Sequence, residues 1–142
     1  LNLIDDEVSA QLTKEFANLP HGVRLAVFSQ ALADPESEQV RRLVEELGGL
    51  SPKVQVESYN FVLDKEKVAA LGIARIPAIA ILGEDKDYGI RMYGTPAGYE
   101  FGTLVETIGA VAGGDSGLSQ TTRDALREVT KDVGIQVFST PT

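Results

Sequence analysis

Apolar positions along this chain recur with two periods, one near four residues and one near two, and the switches between them mark out its elements. Val8, Leu12 and Phe16 recur every four residues and predict an amphipathic helix over 6–19, stopped by the turn Pro20-His21-Gly22. Val23-Arg24-Leu25-Ala26-Val27-Phe28 follows as a mostly buried strand. Asp34-Pro35-Glu36 has the chemistry of a helix start. Asp34 is suited to cap, Pro35 presets the backbone angle of the first helical position, and Glu36 meets the positive end of the helix dipole. Val40, Leu43, Val44 and Leu47 supply that helix with its apolar stripe, and Gly48-Gly49 is expected to end it.

The alternation Val54-Gln55-Val56-Glu57-Ser58-Tyr59 predicts a second strand. Asp64 is placed to cap a short helix that carries Val68 and Leu71 and closes at Gly72. Ala78-Ile79-Ala80-Ile81-Leu82 is an apolar third strand. The polar turn Glu84-Asp85-Lys86-Asp87 leads into a fourth, Gly89-Ile90-Arg91-Met92-Tyr93. A closing helix over 100–111 carries Phe101, Leu104, Val105, Ile108 and Val111. The order α-βαβαββα predicts an α/β fold with parallel pairing first and a hairpin last.

The remaining residues resemble the beginning. Gly113-Gly114-Asp115-Ser116-Gly117 reads as a linker. A helix over 118–131 with Leu118, Thr122, Leu126 and Val129 follows, and then a strand over 135–139. A shift of 110 residues lays Leu25-Ala26-Val27-Phe28-Ser29 on Ile135-Gln136-Val137-Phe138-Ser139, and Phe16 on Leu126. Residues 1–113 are thus expected to form one whole unit, and 114–142 a linker with the opening helix and strand of a second. A strand without its sheet is expected to pair with another molecule, add to the first sheet's edge or stay poorly ordered, a homodimer through 118–142 being the first choice.

Composition narrows the chemistry. A net charge of −8 opposes binding to nucleic acid or an anionic membrane. No apolar run reaches the ~20 residues of a membrane helix, and the start lacks a basic-then-apolar leader, so a cytoplasmic protein is the expectation. Cysteine is absent, which removes disulfides, thiolate nucleophiles and thiolate metal ligands together. The single histidine, His21, cannot make a metal site by itself, and no cofactor or metal is expected. The glycines lack phosphate-loop spacing, and Ser29, Ser37 and His21 make no nucleophile elbow. Asp5-Asp6 and Glu45-Glu46 read as solvated helix faces, and Tyr88, Tyr93 and Tyr99 as core or rim aromatics.

Gly72-Ile73-Ala74-Arg75-Ile76-Pro77-Ala78 is the most specific local signal, because it sets a proline directly before an apolar strand. A cis Ile76–Pro77 bond would leave the backbone of Ile76 open to an extended peptide, with Arg75, Ile76 and Pro77 as the groove residues; a trans proline that merely opens the strand is the alternative. With the hairpin and final helix that follow, this motif resembles the cis-proline region of thioredoxins. Val27-Phe28, Arg42-Leu43-Val44-Glu45-Glu46-Leu47, the stretch from Tyr88 to Phe101 with its Gly-Thr-Pro-Ala-Gly-Tyr-Glu-Phe, and Val137-Phe138-Ser139-Thr140-Pro141-Thr142 extend the likeness. Nearly the whole chain resembles the glutaredoxin-like protein disulfide oxidoreductases of thermophiles, which join two thioredoxin-fold units in tandem.

That resemblance implies a thioredoxin-like four-stranded mixed sheet, order 2-1-3-4, with helices on both faces. The family opens the first helix with Cys-x-x-Cys, and Asp34-Pro35-Glu36-Ser37 stands at that place, able to cap a helix but not to form a disulfide. The family's second unit brings its own Cys-x-x-Cys after a Thr-Pro-Thr-like turn, where this chain stops at Thr142. The chain, which opens at Leu1, is therefore expected to be an N-terminal portion of a longer protein or a natural chain ending there. The resemblance implies a redox-inactive unit beside a catalytic partner unit in thiol–disulfide exchange and cell redox homeostasis. It implies no activity for this chain alone, and protein or peptide substrates for the whole. The alternatives are a stand-alone peptide- or protein-binding module and, more remotely, an enzyme using Asp34 or Ser37.

Overall fold

The strand β1 (Val23–Ser29) is apolar at every position except Arg24 and Ser29, and it lies buried with a neighbour on each edge. A computed structural model of the chain describes residues 2–30 and 34–139. Before β1 comes α1 (Asp6–Ala17), and after it come α2 (Pro35–Gly49), β2 (Val54–Asn60), α3 (Lys65–Ala70), β3 (Ala78–Gly83), β4 (Ile90–Tyr93), α4 (Tyr99–Gly113) and α5 (Gln120–Arg127). β2 pairs parallel to β1, which requires the crossover that α2 supplies. β3 pairs antiparallel to β1, and β4 antiparallel to β3, giving the order β2-β1-β3-β4.

Strand alternation sorts the core into two layers. Val23, Leu25, Val27, Ile79 and Ile81 face α1, α2 and α4, meeting Phe16, Val44, Leu47, Leu104 and Ile108. Ala26, Phe28, Ala78, Ala80 and Leu82 face the other way, towards Ile73, Val68 and Leu71 around the short α3. Helices therefore cover both faces, three on one side and one on the other. Phe28 stacks on Tyr59 across the β1–β2 pair, with ring centroids 5.2 Å apart.

Hydrogen bonds from distant residues close the helix ends. Glu46 accepts the backbone N–H groups of Leu3 and Ile4, at 2.9 and 3.0 Å, and Ile4 is buried in the core. Lys53 Nζ donates to the carbonyls of Ala17 and Leu19, satisfying one acceptor at the end of α1 and one just beyond it. Val8 departs from the expected apolar stripe: Leu12 and Phe16 are buried, whereas Val8 stays exposed on the wall of a groove.

Two helix punctuation signals act otherwise than expected. α2 ends at Gly49 with Leu50 as its C-cap, where the sequence sets the boundary, but neither glycine takes the positive φ of a glycine stop. Gly48 is instead a close approach, because a Cβ there would overlap the Val56 side chain and lie 3.3 Å from the Val54 carbonyl. Asp64 precedes α3 but makes no side-chain cap; its carboxylate turns back to accept the Asn60 N–H at 2.6 Å.

The C-terminal helix is shorter than expected. α5 spans only Gln120–Arg127, and none of its residues is buried. Residues 133–139 form no strand and add to neither edge of the sheet. Ile135, Val137 and Phe138 are 82–89% exposed. A strand exists only as part of a ladder, and this segment pairs with neither β2 nor β4, the two edges that the sheet offers. Thr140, Pro141 and Thr142, which carry the last part of the family likeness, lie outside the described residues. Among the described residues no helix is long and apolar enough to cross a membrane.

Gly48→Ala is expected to lower stability by about 1–3 kcal/mol, since Val56 is β-branched and cannot swing aside freely. Gly49→Ala, where a Cβ meets nothing within 4 Å, should leave stability unchanged or raise it by up to about 1 kcal/mol. Urea denaturation midpoints separate the two, and equal destabilisation at both positions would contradict the packing account.

Candidate functional site

The strand register brings three chain segments to one end of the sheet. Phe28 lies opposite both Tyr59 and Ala78, and Ala78 opposite Tyr93. The start of α2, the turn into β3 and the loop leaving β4 therefore share that end. Residues 34–37 and 75–77 both belong to it.

At the start of α2, Asp34 Oδ1 accepts the Glu36 N–H at 3.1 Å, and Oδ2 accepts the Ser37 hydroxyl at 2.5 Å. Pro35 takes the first helical position, and Ser37 is fully buried. Asp34 and Ser37 thus bond to one another across the first turn. The Ser37 hydroxyl is the main influence holding the Asp34 carboxyl below its ordinary 3.8, opposed by partial desolvation and aided by the N–H groups of Ser37 and Glu36. Glu36 points elsewhere: its Oε1 accepts the Thr95 hydroxyl at 2.8 Å, tying α2 to the loop after β4. Nothing local announces that contact, which joins residues 59 apart.

On the opposite side Ile76–Pro77 is cis. Pro77 is buried at the head of β3, and its carbonyl accepts the Gly94 N–H at 3.0 Å. Gly94 has φ +86°, a left-handed conformation that glycine adopts without strain. The Arg75 guanidinium lies 4.4 Å from the centre of the Tyr93 ring, and the Tyr93 hydroxyl accepts the Ala74 N–H at 3.3 Å. Tyr93 therefore props the segment in which Arg75 is exposed and Ile76 half-buried. Sequence reading placed Tyr93 among core or rim aromatics and missed this role; its position, at the strand end directly before Gly94, is the signal that could have found it. Beside Thr95 opens a groove of about 400 Å³ with Leu3, Val8, Leu43, Pro96 and Phe101 in its walls.

The chemical scope of this end is narrow. With no cysteine in the chain, no thiolate can attack a disulfide here. Among the described residues no group of three or more His, Asp or Glu side chains is placed to hold a metal ion. The tyrosines form no stacking platform: Tyr93 is half-buried under Arg75, Tyr99 is 91% exposed, and the Tyr88 ring lies under Lys86 beside Gly114.

A 2-1-3-4 mixed sheet, with α2 entering at the end where a cis-proline opens the third strand, is the thioredoxin-like fold. A thioredoxin from Halobacterium salinarum shares it at TM-score 0.51 and 14% identity, covering 74% of this chain and 86% of that one. Greater likeness is to larger proteins. The NTD_N/C domain of the alkylhydroperoxide reductase AhpF from Enterococcus faecalis superposes with TM-score 0.75 at 25% identity, over 85% of this chain and 58% of that one. A protein disulfide oxidoreductase from Aeropyrum pernix gives TM-score 0.77 at 26% identity, over 90% of this chain and 56% of its own. No family model matches the chain. The NADH dehydrogenase of Bacillus subtilis (strain 168) is 24% identical over 136 residues, which are 96% of this chain. The chain spans about a quarter of that curated relative's length. It is a thioredoxin-like unit without cysteine, similar to the N-terminal unit of AhpF and to an archaeal protein disulfide oxidoreductase.

Because its native carboxyl value is lowered, Asp34 contributes stability that is fully present above 3.8 and lost as pH falls through the lowered value. Ser37→Ala removes the main cause of that shift. The variant is expected to be less stable than the parent at pH 7, with a deficit that shrinks below pH 3.8. Denaturant titrations at both pH values check this; a deficit independent of pH would mean that the hydroxyl acts by packing alone.

Proposed function

We propose that this chain is a non-catalytic thioredoxin-like unit of a longer disulfide-handling oxidoreductase, and that it supports a catalytic thioredoxin-like unit following it. The observation that carries this reading is the replacement of a redox pair by a helix cap: Asp34 and Ser37 bond to each other where the resemblance expects Cys-x-x-Cys. The fold is kept while the thiols are gone, which fits a unit retained for binding or shape.

Three further observations support a neighbour. The likeness covers 85–90% of this chain but only 56–58% of the two larger structures, the proportion expected of one unit in two. The apolar residues of 118–139 repeat the pattern that opens the first unit, yet stay exposed. The end of the sheet that carries 34–37 also exposes a large apolar side chain at its rim. Leu63 is 79% exposed there, on a turn held by Asn60 Oδ1 accepting the Val62 and Leu63 N–H groups. The names of the relatives, an alkylhydroperoxide reductase, a protein disulfide oxidoreductase and an NADH dehydrogenase, agree in redox chemistry. We infer that the longer protein shares it.

A second reading, a stand-alone peptide-binding module, draws on the exposed Arg75 and half-buried Ile76 beside Pro77. It differs in needing nothing beyond this chain.

The coding frame and an insulin-reduction assay with dithiothreitol separate the two. The frame should continue past Thr142 into a cysteine-bearing unit, and the longer protein should reduce insulin while this chain matches the buffer blank. Asp34→Ala or Ser37→Ala in the longer protein should change turnover less than about tenfold, since neither residue takes part in the exchange. A frame that stops at Thr142, or turnover abolished by these substitutions in a folded protein, overturns the proposal.

A further inference from the structure

Gly113-Gly114-Asp115-Ser116-Gly117 has the composition of a flexible tether, but its residues are bonded into a defined turn. α4 ends on Gly114 at φ +64°, where the Gly114 N–H donates to the carbonyls of Ala110 and Val111. A Cβ on Gly114 would lie 3.3 Å from the Tyr88 hydroxyl, so the chain leaves α4 pressed against the β3–β4 connection. Gly117, at φ +69°, turns the chain again, and its N–H donates to Asp115 Oδ1 at 2.8 Å. The same oxygen accepts Arg123 Nη2 at 2.5 Å, while Arg123 Nε donates to the Leu118 carbonyl at 2.8 Å. Ser119 caps α5 by accepting the Thr122 N–H. Arg123 is thereby fixed by Nε and Nη2 to the turn that precedes its own helix. Beneath lies a cavity of about 350 Å³ walled by Tyr88, Ile90, Ala110 and Val111.

We propose that Asp115 and Arg123 form a clasp that sets the angle between α4 and α5, so that the chain after α5 leaves the first unit in one direction. An ion pair with side-chain exposures of 36% and 62% contributes little stability on its own. What distinguishes this one is convergence: one carboxylate oxygen binds a linker N–H and the helix's guanidinium, and the guanidinium also holds a linker carbonyl. The planar fork of arginine can span two such acceptors, whereas the single ammonium of lysine cannot hold both in that geometry. The Gly117 N–H, and after it Arg123, hold the Asp115 carboxyl below its ordinary value, so the clasp stays charged at neutral pH. Its effect is on geometry. For a unit following α5 it would fix the approach of that unit to the first, a consequence that rests on the proposed function; the clasp itself belongs to this chain alone.

The absence of native cysteine makes the test direct. Nitroxide labels on Glu106→Cys in α4 and Thr121→Cys in α5, both exposed positions, report the α4–α5 distance distribution by double electron–electron resonance on residues 1–142. The parent should give one narrow peak. Arg123→Ala and Asp115→Ala should each at least roughly double its width, towards the spread of a glycine-rich chain, and Arg123→Lys should not restore it. Asp124→Ala, which removes the Asp124–Arg127 pair within α5, should leave the width unchanged. Circular dichroism of each variant distinguishes a swinging helix from a melted one. A broad distribution in the parent, an unchanged width in both clasp variants, or broadening explained by lost helix would overturn the proposal. Because the readout needs no following unit, its failure is independent of that of the functional reading.

Discussion

The burial of β1 on both faces and along both edges is the constraint on which the rest of this protein depends. A strand with Val23, Leu25 and Val27 on one side and Ala26 and Phe28 on the other is stable only when two layers cover it and two strands pair with it. β2 and β3 supply the pairing; α1, α2, α4 and the α3 region supply the cover. That arrangement sends the chain from β1 into α2 at one end of the sheet, opposite the turn that opens β3. The site is a by-product of the topology. The segment 133–139 repeats the apolar run of β1 but has no strand beside it and no helix over it, and it stays outside the sheet.

At the start of α2 one physical problem, the unsatisfied N–H groups of a helix, is solved by different chemistry from that of the redox-active relatives implied by the sequence. A thiolate there would be stabilised by the helix end and available for attack. The Asp34 carboxylate uses the same field but spends its oxygens on the Glu36 N–H and the Ser37 hydroxyl. At the same end of the sheet Pro77 heads β3, with Gly94 donating to its carbonyl and Tyr93 holding the Ala74 N–H. Glu36 adds a strut to Thr95 that has no part in exchange chemistry. A scaffold kept and braced, with its reactive atoms replaced, is the physical content of the proposed supporting role.

What could be read from the sequence was whatever is decided locally. The Asp34-Pro35-Glu36 start is legible because capping, preset φ and dipole all act within one turn. Strand order followed from the family likeness and the apolar runs, and it is the order observed. The helix boundary at Gly48-Gly49 is legible, but the close approach at Gly48 is not, because Val56 reaches it only from β2. Asp64 was taken for a cap because its competitor, the Asn60 N–H, is offered only after β2 turns. Residues 135–139 form no strand in this chain for a complementary reason: the repeat of 25–29 reports readiness to pair, while pairing needs a partner. Glu36 with Thr95 and Asp115 with Arg123 depend on side chains meeting through the fold, and no spacing rule announces them.

The claim that the exposed tail opens a second unit is tested most directly by amide hydrogen exchange of residues 133–139, measured in this chain and in a protein that continues past Thr142. In this chain these amides, with no helical or ladder hydrogen bonds, should exchange at nearly the unprotected rate. In the longer protein the amides of Ile135, Val137 and Phe138 should be slowed by roughly a thousandfold or more, as for a central strand that opens only with its unit. Fast exchange of these amides in both proteins would contradict the account, and the tail would then be an extension with no sheet to join.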